Sequence, residues 1–156
     1  MIRVHGVKQT IIKLNNLTVL NQHKIMGSVI YTSSKPMEDE QKRQLLSKTE
    51  QKTGNLVKSI GRKRVPIRKA KEIGTVQIGP RIGGGFKGHH GHLLEFGHKK
   101  VLWGRRTNER VKPYPFVEPA YKTKMQEVRN NMAKNLNTVL KRWAKTGKIT
   151  VAESYD

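Results

Sequence analysis

The stretch 119–147 reads PAYKTKMQEVRNNMAKNLNTVLKRWAKTG, and its apolar spacing decides the fold. Tyr121, Met125, Val128, Met132, Leu136, Val139, Leu140 and Trp143 recur mostly at steps of three and four, which gathers them into one stripe of a 3.6-residue helix. Pro119 suits the first turn, where its missing N–H has no intrahelical partner, and Glu118 favours the positive end of the dipole. Lys145 and Gly147 suit the other end. A long amphipathic helix over 116–147 follows, and its stripe needs a cover.

Upstream, the stretch 53–115 changes character, because glycine and histidine concentrate there and periodicity shortens. Arg64 to Ile67 and Glu72 to Ile78 read as two strands of a hairpin, alternating at Val65/Ile67 and Val76/Ile78, with Pro66 marking an edge. The flank 1–52 is helical. Lys8 to Leu14 predicts a short helix; Val19, Met26, Ile30 and Met37, with Ile25 and Val29 widening the face, predict a second from about Thr18. Pro36 interrupts it, so a break is expected near Ser34 and Lys35, with Met37 to Leu46 as a separate or bent segment. The fold class is α+β: a small antiparallel sheet packed against the long C-terminal helix and an N-terminal helical layer, in one domain over 1–156.

The 156 residues suffice for one domain, and Leu, Ile, Val and Phe make up about a quarter of them, above the roughly 20% below which disorder is the better reading. The chain carries 32 Lys and Arg against 11 Asp and Glu, a formal charge of +21. A compact domain so charged repels itself unless an anion sits close by, so an acidic or polyanionic partner is implied. The excess lies in 61–112, with fourteen Lys and Arg and three Glu. The absence of Cys removes disulfides and thiolate chemistry. The first residues lack the apolar run of a signal peptide, and no stretch reaches the roughly 18 apolar residues of a membrane span, so synthesis and first use in a cytoplasm, with no membrane partner, are expected.

Three constellations invite a chemical reading. Gly79 to Gly88 holds a glycine run, but a nucleotide loop needs Gly-Lys followed by Ser or Thr, and Lys87 is followed by Gly88; a flexible surface loop is expected. His89, His90, His92, Glu95 and His98 lie within ten residues, but on a helix His92, Glu95 and His98 do not converge, so no metal or other cofactor is expected. No catalytic triad can be assembled either, since the only Asp residues are Asp39 and Asp156. An enzyme is not expected. What remains is a set of basic segments, Arg62, Lys63 and Arg64, Arg68, Lys69 and Lys71, Arg81, Lys87, Lys99 and Lys100, Arg105 and Arg106, with Phe86 and Trp103 near them. They are candidates to face DNA or an acidic partner, by phosphate contact and aromatic stacking.

Four short motifs fall in a definite order: Thr53-Gly54-Asn55-Leu56-Val57-Lys58-Ser59-Ile60, then Val76-Gln77-Ile78-Gly79-Pro80, then Leu94-Glu95-Phe96-Gly97, then Pro115-Phe116-Val117-Glu118-Pro119-Ala120. This order resembles the tail-completion, or minor head-tail joining, morphogenesis family of tailed double-stranded DNA phages, over roughly Thr53 to Lys145. The resemblance implies a structural virion protein, a ring of identical subunits at the neck or upper tail, with neighbouring connector and tail proteins as partners and double-stranded DNA in the channel as a further one. It implies the virion as location, after assembly in the host cytoplasm. Composition alone offers the alternative of a sequence-independent nucleic-acid-binding basic protein.

The motif residues Gly54, Leu56, Ile60, Gly79, Glu95, Phe96, Gly97, Pro115, Phe116 and Pro119 read as scaffold. Gly54 is expected to end one helix and Asn55 to cap the next. Glu95 is expected to pair with an Arg or to stay exposed. The chain departs from the family pattern at His98, where a small hydroxyl residue is common, and in the long basic stretch Lys99 to Lys112, read with Arg81 to His92 as flexible loops that order on docking.

Overall fold

The computed structural model describes residues 19–48 and 54–146, and the short helix expected over Lys8 to Leu14 lies outside them. Helix α1 runs Val19–Ser33 and α2 Lys35–Lys48, parted at Ser34. The break has three local causes. The Ser33 hydroxyl donates to the Val29 carbonyl (2.7 Å) and the Ser34 hydroxyl to that of Tyr31 (3.1 Å), while Pro36 supplies no N–H. The chain restarts at once, with the N–H groups of Met37 and Glu38 donating to the Ser34 carbonyl, so Pro36 sits in a first turn.

A one-turn helix α3 (Asn55–Ser59) leads into β1 (Ile60–Arg64), which pairs antiparallel with β2 (Val76–Pro80), Ile60 opposite Pro80 and Arg64 opposite Val76. Two expectations are corrected here. The first strand ends at Arg64 instead of beginning there: Val65 keeps one bond to Thr75, and Pro66, which has no donor, starts a 3₁₀ turn over Ile67–Lys69. The residue ahead of α3 is Gly54, at φ 65°, with Asn55 already inside the helix.

The expected flexible loops are two hairpins. Strands β3 (Ile82–Gly83) and β4 (Phe86–Lys87) make a short one, and after α4 (Gly91–Phe96), β5 (His98–Leu102) and β6 (Arg105–Val111) make a longer one. The strands therefore form three separate two-stranded antiparallel sheets. The long helix α5 spans Val117–Thr146. No helix among the described residues is long and apolar enough to cross a membrane.

Helix α5, with 30 residues, lies along both α1 and α2, with 15 and 14. Its start meets Leu45 through Phe116, and its middle meets Ser33 through Asn135 (Nδ2 to Oγ, 2.8 Å), so it runs antiparallel to the broken pair. The predicted stripe is largely the buried one, with Val128 and Trp143 buried and Met125, Met132, Leu136 and Val139 half-buried. Tyr121 and Leu140, however, are 50% and 36% exposed, while Ala120 is buried and Asn131 and Asn135 half-buried. The face is turned so that Asn135 meets the buried Ser33 hydroxyl, while the buried Glu40 is bonded by Arg43 and Gln44 of its own helix.

Leu45, Ile60 and Phe116 form the core, with Leu56, Val57, Leu94 and Val117 packed on it. One residue from each layer meets there. Phe116 is fully buried, so Phe116→Ala should cost about 3–5 kcal/mol and lower Tm by about 10 °C or more. Tyr121→Ala, at a half-exposed stripe position, should move stability by no more than about 0.5 kcal/mol. Thermal unfolding by circular dichroism compares the two.

Candidate functional site

A helix of 30 residues leaves the N–H groups of its cap and first turn without intrahelical acceptors. Here Glu95 supplies them from another element. Its Oε2 accepts from Phe116 N–H (2.8 Å) and Val117 N–H (3.0 Å), and its Oε1 from Glu118 N–H (3.0 Å). The next residue, Pro119, has no N–H, so every donor of the first turn is accounted for. The carboxylate also sits at the positive end of the dipole. This corrects the expectation for Glu95, which is buried and bonded to backbone, with no Arg partner among the described residues. The adjoining Phe96 is corrected too: it is 75% exposed, since Leu94 and Glu95 face inward and Phe96 turns outward about 100° further round α4. Gly97 is required as scaffold. It has φ 69°, and a Cβ there would lie 2.6 Å from the Val111 carbonyl oxygen.

A cleft of about 1070 Å³ opens between β1–β2, the β3–β4 turn, α4 and the start of α5. Guanidinium groups backed by aromatic rings line it. Arg62 and Arg64 lie over the Tyr31 ring at 4.3 and 5.0 Å, and Arg81 over Phe86 at 3.7 Å. The lining carboxylates are occupied, Glu95 by the helix and Glu118 by Lys122 (2.6 Å). Such a lining suits anions and flat faces.

The predicted basic residues divide into groups. Arg62, Lys63, Arg64 and Arg81 share the cleft; Arg68, Lys69 and Lys71 are exposed on the loop after β1; Lys87 is exposed on β4; Lys99, Lys100 and Arg105 are exposed on β5–β6, and Arg106 is the second residue of β6. Arg62 is largely buried and bonded within the molecule. Its side chain is 12% exposed, its Nε donates to Glu38 Oε2 (2.6 Å) and its Nη1 to the Tyr31 carbonyl, tying β1 to the α1–α2 break. Among the described residues, no three of His, Asp and Glu come together as they would to hold a metal ion.

Three further residues escaped the sequence reading. His23, buried on α1, accepts from Gly74 N–H through Nδ1 (3.1 Å) and donates through Nε2 to the Val65 carbonyl (2.9 Å), which fixes its tautomer. Glu38 is buried; burial would raise its pKa, but hydrogen bonds from Lys42 and Arg62, with the charges of Lys42 and Lys35, outweigh it and hold the group down at about 2. Glu40 is held to about 2 by hydrogen bonds from Arg43 and Gln44. The helical spacing of Glu38, Gln41 and Leu45 is the signal for the buried acid, since a carboxylate on the covered side of a helix needs cations around it.

Comparison of the chain with family models, with curated proteins and with solved structures gave no match.

Two predictions follow from these carboxylates. Glu95→Gln puts an NH₂ group against backbone donors, and should cost about 1–3 kcal/mol while hastening amide hydrogen exchange at Phe116, Val117 and Glu118. Equal exchange in the variant would show that the cap is not what orders the turn. The depressed pKa of Glu38 lies below its ordinary value near 4.5, so its stabilisation is present above about pH 4.5 and lost as pH falls towards 2. Stability measured from pH 5 to pH 2 should fall, and Glu38→Gln should flatten that fall.

Proposed function

We propose that this chain is a structural protein of a tailed double-stranded DNA phage, assembling as a ring of identical subunits at the neck or upper tail, where it completes the head-to-tail joint. One observation carries the reading: the ordered motifs of the resemblance are parts of a single contact region. Glu95 of the third motif caps the helix that the fourth begins, Ile60 of the first packs on Phe116 of the fourth, and Ile60 and Gly61 pair with Pro80 and Gly79 of the second. Segments scattered between Thr53 and Ala120 thus make one scaffold, as a shared fold requires. The surface supports the reading as well. Ile82, Phe96 and Tyr121, at 73%, 75% and 50% exposure, lie among the residues lining the cleft, an apolar set that burial between subunits would cover. The charge of +21 calls for anionic neighbours, whether connector and tail proteins or DNA in the channel.

Deleting the gene should leave filled heads and separate tails that fail to join, seen by electron microscopy of lysates; normal infectious particles would refute the role. Phe96→Asp, at an exposed position, should keep Tm within about 2 °C and abolish the ring in sedimentation. A ring that survives it does not use this side of α4.

A further inference from the structure

The β5–β6 hairpin stands apart from the packing just described, because its two strands pair with each other and with no other strand among the described residues. Its turn is two residues, Trp103 at φ 51° and Gly104 at φ 76°. Positive φ at both positions marks the turn that matches the twist of a hairpin, and Asn-Gly or Asp-Gly is the sequence it favours. A bulky side chain in the first position is disfavoured, since its Cβ crowds the neighbouring carbonyl. Nothing among the described residues compensates: Trp103 is 101% exposed, and Val101 and Leu102 beside it are 55% and 46% exposed. A residue that strains its own turn and stands fully exposed is placed for something outside.

Charge identifies what that is. From His98 to Lys112 the arm carries six Lys and Arg and one acid, Glu109, which Lys100 takes at 3.1 Å. Lys99, Arg105, Arg110 and Lys112 are exposed and make no ion pair with any described residue. A second copy of this chain does not suit the arm, because the cleft is itself cationic at Lys63, Arg64 and Arg81. We propose that the β5–β6 hairpin is a nucleic-acid-binding arm, its cations on backbone phosphates and the Trp103 indole against a base face, with no sequence preference. A two-stranded ribbon fits the major groove of B-form DNA, about 12 Å wide, and an exposed indole stacks on any unpaired base. The chemistry is shared by duplex and single strand. The arm does this whether or not the chain forms a ring.

The test uses the whole protein, titrated with a 20-base-pair DNA duplex and with a 20-nucleotide single strand at several salt concentrations. The chain has two Trp residues, and Trp143 is buried, so quenching of the exposed indole reports contact at the arm. Wild type should bind one or both DNAs with quenching, and log K should fall with log salt by about 0.9 per duplex phosphate or 0.7 per single-strand phosphate engaged. Preference between the two DNAs tells which one the arm takes. Trp103→Asn installs the favoured turn, so it should melt no lower than wild type yet bind about tenfold more weakly. Lys99→Gln with Arg110→Gln should reduce the salt slope by about 2.

The inference is overturned if Trp103→Asn binds as wild type does, or if it melts lower, which would make Trp103 structural. It is overturned equally if binding is lost on Lys63→Gln with Arg81→Gln and kept when the arm is changed, since the cleft would then be the site. Binding to polyglutamate and not to DNA would assign the arm to an acidic protein and also overturn it. None of these outcomes bears on joining in the deletion strain, so the two readings fail separately.

Discussion

The burial of one carboxylate against three backbone N–H groups holds the architecture together. A 30-residue helix ends in a turn of unsatisfied donors, and burying that end beside Phe116 would be costly if water were simply removed from them. Glu95 meets the cost with a charge the helix dipole favours, delivered from the short helix α4 some twenty residues upstream. Everything else converges on that junction. Gly97 lets the chain leave Glu95 close under the Val111 carbonyl, Tyr114 N–H bonds back to the Leu94 carbonyl (2.7 Å), and Pro115 and Pro119 restrict the approach. The carboxylate is thus held by geometry on both sides.

A second constraint sets the helical layer. Because α5 runs the length of α1 and α2 together, the bend at Ser34 has to occur where α5 can still touch both halves, and Asn135 touches Ser33 there. Arg62 reinforces the same point from the sheet side, bonding to Glu38 and to the Tyr31 carbonyl. Removing Glu38 would leave the Arg62 charge buried without its carboxylate, which is the costly way to lose an ion pair, whereas Glu38 without Arg62 still has Lys42 and Lys35 beside it.

Strong periodic signals made the helices legible in the sequence. The α5 stripe, the break ahead of Pro36 and the α+β class were all readable, since each depends on spacing or on the missing donor of proline. The first strand was misplaced by four residues because Val65 and Ile67 alternate as a strand does, while Pro66 between them cannot continue the ladder. The partner of Glu95 was invisible for a different reason: backbone donors have no sequence signature, and a lone acid near basic residues reads as an ion pair. The long basic segment read as loops because Lys and Arg dominate it, although Trp103-Gly104 fixes a two-residue turn once the pairing of Leu102 with Arg105 is known. In the cleft, the pairing of Arg62 and Arg64 with Tyr31 joins residues far apart in sequence, beyond the reach of any local pattern.

The attachment of the β5–β6 hairpin has an architectural consequence. Its two ends are pinned at one place, where Gly97 passes the Val111 carbonyl and His98 pairs with Val111, and the Glu95 cap closes just beyond. Residues added or removed symmetrically beyond that clamp would lengthen or shorten the ribbon without moving the cap or the core. Hairpin length is therefore free to drift while the domain stays constant, so chains sharing this scaffold can differ most in size at the place where they reach outward.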